Sequence, residues 1–293
     1  MNYSDAVLAI NAVIEAENSA GNVNPVCLTR LLLRGGPAER AVLFLHGFTS
    51  CPQLFAPLGN QFFDLGYNIF IPRLPYHGNV DTLTQDLQAM SAEELFAFVE
   101  RCVDLARALG NHLTVVGLSL GASLTAWLAQ HRGDVDLAVP ISPMFRPYFL
   151  SRGGVGLFVA LAQRLPNFYI WWDPRTKEKN PAVYPYSYPG FPLRAFTQVV
   201  RVGMIAERQA RRGQPAAKRI LMVSNACDLA VSNSAINNVV KWWSRGDQSC
   251  VSAYEFERKY KLPHDLITPE CPGSRIDIVY PKLLELIQTC EIC

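Results

Sequence analysis

Residues 112–126 read His-Leu-Thr-Val-Val-Gly-Leu-Ser-Leu-Gly-Ala-Ser-Leu-Thr-Ala. Leu113, Val115 and Val116 suit a buried strand, with Thr114 tolerated among them, and from Ala122 the pattern suits a helix. Between them stands Gly117-Leu118-Ser119-Leu120-Gly121, a G-x-S-x-G sequence. In this setting a serine occupies a sharp, strained strand-to-helix turn. Glycine two positions to either side lets strand and helix crowd together without a Cβ clash. The serine oxygen then stands clear of the backbone, at the positive end of a helix. The five residues alone are a short pattern; the strand before them and the helix after them make it specific.

Outward from this turn, short apolar runs alternate with helical ones. Residues 28–34, 41–46, 67–72, 135–141, 219–224 and 251–256 read as strands. Residues 4–19, 52–65, 233–243 and 278–289 read as helices. Ser91-Ala92-Glu93-Glu94 is a capping box that opens a further helix with an apolar face at Leu95, Phe98, Val99, Cys102, Leu105 and Leu109. Gly110 is expected to close that helix. Alternation of this kind implies an α/β fold, a mostly parallel sheet covered by helices on both faces.

The alternation stops at Pro143 and resumes near Lys218. Residues 144–215 hold 13 of the chain's 31 aromatic residues in about a quarter of its length. Tyr184-Pro-Tyr-Ser-Tyr-Pro-Gly-Phe-Pro is unsuited to a regular helix or a central strand, whereas 191–211 reads as a good helix. The segment also carries eleven Lys or Arg against three acids, a net +8, while the remainder of the chain is at −6. The expected organisation is a core made of residues 1–143 and 216–293, with 144–215 inserted as a cap or lid over the site. A basic, aromatic segment of this kind is expected to make at most a weak contact with anionic lipid.

The chain has 293 residues, 49% hydrophobic, enough for one large core. A net charge of +2 gives no global field to attract nucleic acid, and none is expected as a partner. Residues 1–20 have neither a basic leader nor a continuous apolar run, so no secretory signal is read there. No stretch approaches the length needed to span a bilayer; the longest candidate is 153–162. Eight cysteines without an export signal are expected to be reduced thiols, and a cytoplasmic location follows. Cys290 and Cys293 form a lone C-x-x-C with no second pair and no preceding strand, so neither a metal nor a redox role is expected of it.

A serine hydroxyl is a poor nucleophile near neutral pH and needs an adjacent base. In α/β sheets with this turn the chain order is serine, acid, histidine. Two histidines follow Ser119. His131 lies twelve residues along the same helix, roughly 18 Å away at about 1.5 Å per residue, and is out of reach. His264 remains, in a loop restrained by Pro263. The acid should lie just beyond the preceding strand, where Asp228 stands; its carboxylate would accept the Nδ1 hydrogen and fix the tautomer. Asp265 is a rival, although a side chain adjacent in a loop rarely faces its neighbour's ring, and Asp173 lies further off in the insertion. For the oxyanion, the backbone N–H groups of Leu120 and Phe48 are the expected donors. His46, at a strand end beside Gly47, is expected to brace that loop.

Taken together, His-Gly-Phe-Thr-Ser at 46–50, Arg-Leu-Pro-Tyr-His-Gly at 73–78, the G-x-S-x-G at 117–121, Asp228 and His264 resemble the α/β-hydrolase superfamily. The closer similarity is to carboxylesterases and monoacylglycerol-lipase-like serine hydrolases. It covers roughly residues 28–142 and 218–290. The resemblance implies a catalytic triad of Ser119, Asp228 and His264, and no metal or organic cofactor. Two positions depart from that group: Tyr76 stands where glycine is usual, and Ser50 where glycine is frequent. Both fall near the expected acyl-binding side, so Phe48 and Tyr76 are expected in the substrate pocket.

The expected activity is hydrolysis of a small-molecule carboxylic ester with an apolar acyl or alcohol group, through an acyl-enzyme. A thioesterase or acyltransferase would use the same triad with a different leaving group or acceptor. A non-catalytic ligand-binding member of the fold would typically lack one of the three residues. A haloalkane dehalogenase would need a carboxylate where Ser119 stands.

Overall fold

The computed structural model describes residues 1–174, 186–245 and 250–292. Nine strands are described: β1 (Arg30–Leu32), β2 (Ala38–Leu45), β3 (Asn68–Ile71), β4 (Gly110–Leu118), β5 (Leu137–Ile141), β6 (Tyr169–Trp171), β7 (Gly190–Pro192), β8 (Arg219–Asn225) and β9 (Val251–Phe256). Seven of them form one sheet in the order β1-β3-β2-β4-β5-β8-β9. Only β1 is antiparallel to its neighbour; every other pairing in the sheet is parallel. The strand that carries the 112–126 reading is therefore central, with β2 and β5 on its two sides.

Parallel strands with helices on both faces must be apolar on both faces, and these are. In β2, Ala41, Leu43 and Leu45 enter one core while Val42 and Phe44 enter the other. In β4, Leu113 and Val115 oppose Val116 and Leu118 in the same way. The first core is closed by α1 (Tyr3–Ser19), α3 (Ala92–Arg107), α4 (Leu120–His131) and α7 (Asn233–Trp243). The second is closed by α2 (Ala56–Asp64) and α8 (Ile276–Ile292). Ser91 caps α3 by accepting the Glu94 N–H, as its capping box predicts.

Two sequence expectations need correction. Gly110 does not close α3, which ends at Arg107; it opens β4. A Cβ there would lie 2.8 Å from the Ala41 nitrogen on β2, so glycine is required by strand packing rather than by a helix end. The thiols are not all reduced: Cys27 and Cys51 are joined in a disulfide, with Cα atoms 5.2 Å apart. Neither residue carries a sequence signal for this pairing, because the contact joins segments 24 residues apart. Cys102, Cys227 and Cys250 are free thiols, and Cys293 lies outside the described residues.

Between β5 and β8 the chain forms α5 (Arg152–Ala162), the antiparallel pair β6 and β7, and α6 (Leu193–Arg212). The predicted helix at 191–211 is α6. It does not stand apart from the body of the protein: Val199, Val202 and Ala206 are buried in the same core as α4. At Gly203 the helix meets the chain leaving β5, where a Cβ would overlap the Met144 carbonyl and lie 2.7 Å from the Phe145 carbonyl oxygen. Beside this contact, Arg146 donates to Glu207 at 2.9 Å, both side chains being almost wholly buried, and Arg152 reaches the other carboxylate oxygen at 3.3 Å. Arg175, Lys177, Glu178, Lys179 and Tyr184, counted in the segment's composition, lie outside the described residues.

Gly203 gives a test by sign. In a helix interior, alanine is ordinarily more stable than glycine by about 1 kcal/mol. Here Gly203→Ala forces the Met144 carbonyl aside and is expected to destabilise by about 1–3 kcal/mol. Urea unfolding of the two proteins, followed by circular dichroism, measures the difference.

Candidate active site

The C-terminal ends of β2, β4 and β8 meet at one edge of the sheet, the edge at which open α/β sheets bind ligands. Ser119 sits between β4 and α4 with φ +56° and ψ −110°, a region that side chains other than glycine rarely occupy. The strain is held by hydrogen bonds on both sides: the Ser119 N–H donates to Ile141 O at 3.0 Å, and its carbonyl accepts from Ser123 and Met144. The two flanking glycines are there for space. A Cβ on Gly117 would overlap the Gly121 carbonyl, and one on Gly121 would overlap the Leu45 carbonyl and lie 2.7 Å from that of His46. No side chain caps the start of α4, so its first N–H groups, that of Leu120 included, are left without a capping partner among the described residues.

Asp228 lies three residues beyond β8 and accepts from His264 Nδ1 at 2.7 Å. Its other oxygen accepts the Ala230 and Val231 N–H groups at 2.9 and 3.2 Å. The carboxyl is fully buried, which by itself would raise its pKa. The facing His264 charge, the bond to its ring and the two backbone N–H groups outweigh burial and lower it. His264 shows the reciprocal balance. Burial would lower its pKa, but the Asp228 charge and hydrogen bond, with a smaller contribution from the Asp265 charge, raise it above the ordinary imidazole value. The ring therefore pairs with Asp228 and not with its neighbour Asp265.

The loop that carries His264 is held by a residue that the sequence did not single out. Asn225, fully buried at the end of β8, donates to both Leu262 O at 2.9 Å and Pro263 O at 3.0 Å. Its own Oδ1 accepts the Cys227 N–H at 3.0 Å. One amide thus fastens the turn leading to Asp228 to the turn leading to His264. A buried asparagine at a strand end was the available signal, since such a residue must find partners for all its polar atoms.

On the other side of Ser119 runs the loop after β2. Gly47 lies against the turn, where a Cβ would stand 3.6 Å from Leu118 O and 3.7 Å from Ser119 Cβ. His46 is fully buried. Its Nδ1 donates to Gly47 O at 2.9 Å and its Nε2 accepts the Leu74 N–H at 3.0 Å, which needs the neutral ring. Burial, with His77 and Arg73 nearby, keeps it neutral by lowering its pKa well below the usual value. His46 therefore braces the loop, as its position predicts. Thr49, at φ +61°, is gripped from the segment between β5 and β8: Trp172 Nε1 donates to its Oγ1, and the Tyr188 N–H to its carbonyl, each at 2.9 Å.

A cavity of about 360 Å³ opens onto Ser119 and His264, with walls that are mainly apolar and aromatic. Phe48, Met144, Phe149, Trp172, Phe196 and Leu229 are among its lining. Phe48 is where the sequence reading puts it. Tyr76 is not: among the described residues it is absent from the cavity wall, and its hydroxyl donates instead to Glu94 on α3 at 3.0 Å. The reason is its backbone. Tyr76 has φ +66°, the left-handed conformation that explains why glycine is usual there, and that twist turns the side chain to α3. Ser50, the second departure, does line the cavity, and its buried hydroxyl has no hydrogen-bond partner among the described residues. Among the described residues, no group of three or more His, Cys, Asp or Glu is placed to hold a metal ion.

A strained serine between a central parallel strand and a helix, beside an aspartate-paired histidine, defines an α/β-hydrolase arrangement. The family model described as "Alpha/beta hydrolase family" matches residues 42–271, and the chain belongs to that family. A thermostable monoacylglycerol lipase of Bacillus sp. (strain H-257) is 28% identical over 184 residues, which cover 63% of this chain and 69% of the relative. The crystal structure of the Paleococcus ferrophilus monoacylglycerol lipase superposes with a TM-score of 0.66 at 16% identity, covering 89% of this chain and 98% of that one. A soluble variant of the monoglyceride lipase from Saccharomyces cerevisiae, in complex with a substrate analogue, gives 0.67 at 12% identity, covering 90% of each chain. The protein is thus a lipase- or esterase-like member of the family.

Asn225→Ala removes two donors from the His264 loop and one acceptor from the Asp228 turn. Leaving such buried groups unpaired costs about 1–3 kcal/mol. Chemical unfolding should show a loss of that size, and Asn225→Asp, which keeps the acceptor but not the donors, should not restore it.

Proposed function

We propose that this protein is a serine hydrolase that cleaves a carboxylic ester carrying an apolar acyl or alcohol group. The observation that carries the proposal is the 2.7 Å Asp228–His264 bond, in the same apolar cavity as the strained Ser119. Lipid esters are the favoured substrates. The cavity is aromatic and apolar with few polar groups, as ligand sites for apolar molecules are, and the Bacillus relative is a monoacylglycerol lipase.

In this reading the Ser119 hydroxyl attacks the ester carbonyl while His264 Nε2 takes its proton. Asp228 holds Nδ1–H in place and stabilises the imidazolium that forms. Negative charge collects on the carbonyl oxygen, and the N–H groups of Leu120 and Phe48 stabilise it. The first is freed by the uncapped start of α4, and the second is brought in by the Gly47 approach. His264 then gives its proton to the leaving alcohol, and the acyl group remains on Ser119. Water, activated by the same ring, releases the acid and regenerates the serine. α5 with the β6–β7 pair forms the cap, and Trp172 and Tyr188 couple it to the Phe48 loop through Thr49.

Activity on p-nitrophenyl esters of increasing chain length, beside acyl-CoA thioesters, tests the substrate class. Esters should be turned over and thioesters should be poor. Ser119→Ala should abolish turnover without changing the unfolding midpoint, because the change removes one exposed oxygen. Asp228→Asn should cut turnover by about 10⁴, the size seen for the corresponding change in a serine protease; Asp265→Asn should cost far less.

The pH profile follows from the sign of the shift. The base acts when neutral, and its pKa is raised in the fold. Activity should therefore be low on the acid side and rise along a limb whose midpoint lies above the ordinary imidazole value of about 6.5. A flat profile with chemistry rate-limiting would remove His264 from the role.

A further inference from the structure

Ser50 closes the tight turn that follows β2. Its N–H donates to Gly47 O at 3.4 Å, with Phe48 and Thr49 as the central residues. A turn of this kind holds its first and last Cα atoms within about 7 Å of each other. Gly47, the first residue, is the one that lies against Ser119. The closing bond does not use the Phe48 N–H. The same turn therefore carries that N–H and the Ser50 side chain, and both residues line the cavity that holds Ser119.

The backbone of Ser50 is fixed from both sides. Before it, Thr49 is gripped by Trp172 and by the Tyr188 N–H. After it, Cys51 is bonded to Cys27. That bond packs beneath the 73–78 loop, where a Cβ on Gly78 would stand 2.6 Å from the Cys27 Cβ and 3.3 Å from the Cys51 Cβ. The side chain is not fixed in this way. Neighbouring hydroxyls in the cavity wall are fully used. Thr49 Oγ1 donates to Phe48 O at 2.7 Å and accepts from Trp172. Tyr188 donates to Tyr76 O at 3.0 Å and accepts the Asn79 N–H at 2.8 Å. The Ser50 hydroxyl, on a residue only 5% exposed, has no hydrogen-bond partner among the described residues. A buried hydroxyl in that state is unfavourable. Serine χ1 moves between staggered positions. No bond to a described residue holds this side chain in its present one, so turning it toward a bound group breaks none.

The chemistry at Ser119 supplies the acceptor. A hydrogen bond to a charged oxygen is roughly twice as strong as one to a neutral oxygen. A donor beside the reacting carbonyl therefore favours the tetrahedral intermediate over the bound ester. We propose that the Ser50 hydroxyl is a third donor to the oxyanion, beside the N–H groups of Leu120 and Phe48. It turns to the carbonyl oxygen as Ser119 attacks, and its bond strengthens as that oxygen takes the electron pair of the carbonyl π bond. No proton leaves Ser50: His264 takes the proton of Ser119, and the Ser50 O–H stays intact. The proposal rests on the serine-hydrolase reading.

The experiment compares Ser50→Ala with the unmodified protein on p-nitrophenyl butyrate. Removing an oxyanion donor should lower kcat by about 10²-fold. Affinity for the uncleaved ester, measured with both proteins carrying Ser119→Ala, should not change. Butaneboronic acid, which adds to the Ser119 oxygen as an anionic tetrahedral adduct, should inhibit Ser50→Ala more weakly by a factor similar to the loss in kcat. The urea unfolding midpoint should rise, because the variant removes a buried hydroxyl that has no partner in the free protein. A merely structural serine would move the midpoint the other way. An unchanged kcat, a loss confined to KM, unaltered boronate inhibition or a lowered midpoint each overturns the proposal. Ester turnover that is lost with Ser119→Ala but kept in Ser50→Ala removes this donor and leaves the serine-hydrolase reading standing. No ester turnover in the unmodified protein removes both.

Discussion

The contact on which the site depends is the approach of α4 to the ends of β2 and β4. Gly121 lies so close to the Leu45 and His46 carbonyls, and Gly117 so close to Gly121, that no side chain fits at either position. That approach forces Ser119 into a left-handed conformation and leaves the first N–H groups of α4 without capping. It also sets the serine at the centre of the sheet, between the loop after β2 and the turn after β8. Every other element of the site is arranged around a residue whose position the backbone has already fixed.

The second constraint is electrostatic. A buried carboxylate is unfavourable unless its charge is met, and Asp228 is met by one imidazole and two backbone N–H groups. The same bond that lowers the pKa of Asp228 raises that of His264, so the two shifts are one interaction seen from its two ends. Asn225 connects the backbones on which these partners ride. The precision of the pair thus comes from strand β8, through an amide, and not from the loop in which His264 lies.

The segment between β5 and β8 serves two physical ends. α6 belongs to the core, locked by Gly203 against the Met144 carbonyl and by the buried Arg146–Glu207 pair. α5 lies further out, on a small apolar cluster of its own against α6, while Trp172 and Tyr188, which flank the β6–β7 pair, reach Thr49 in the loop beside Ser119. A change in the position of the β6–β7 pair would be felt at the Phe48 loop, since the two share hydrogen bonds and an aromatic cluster in which Phe48 meets Phe191 at 5.1 Å.

How much of this was legible in the chain differs by element. The alternation of apolar strands and helices, the position of β4, the serine turn, and the pairing of Asp228 with His264 could all be read from residue order. Each depends on local pattern or on a fixed order along the chain. The role of His46 was legible for the same reason, from a strand end beside a glycine. Tertiary structure alone decided the rest. Tyr76 reads as a pocket residue until its backbone φ turns it toward Glu94, and Gly110 reads as a helix end until β2 is laid beside it. The Cys27–Cys51 bond, the Asn225 clamp, and the division of residues 144–215 between core and outer layer involve groups far apart in sequence. Their partners are chosen by packing, and packing is a property of the folded chain that no local pattern encodes.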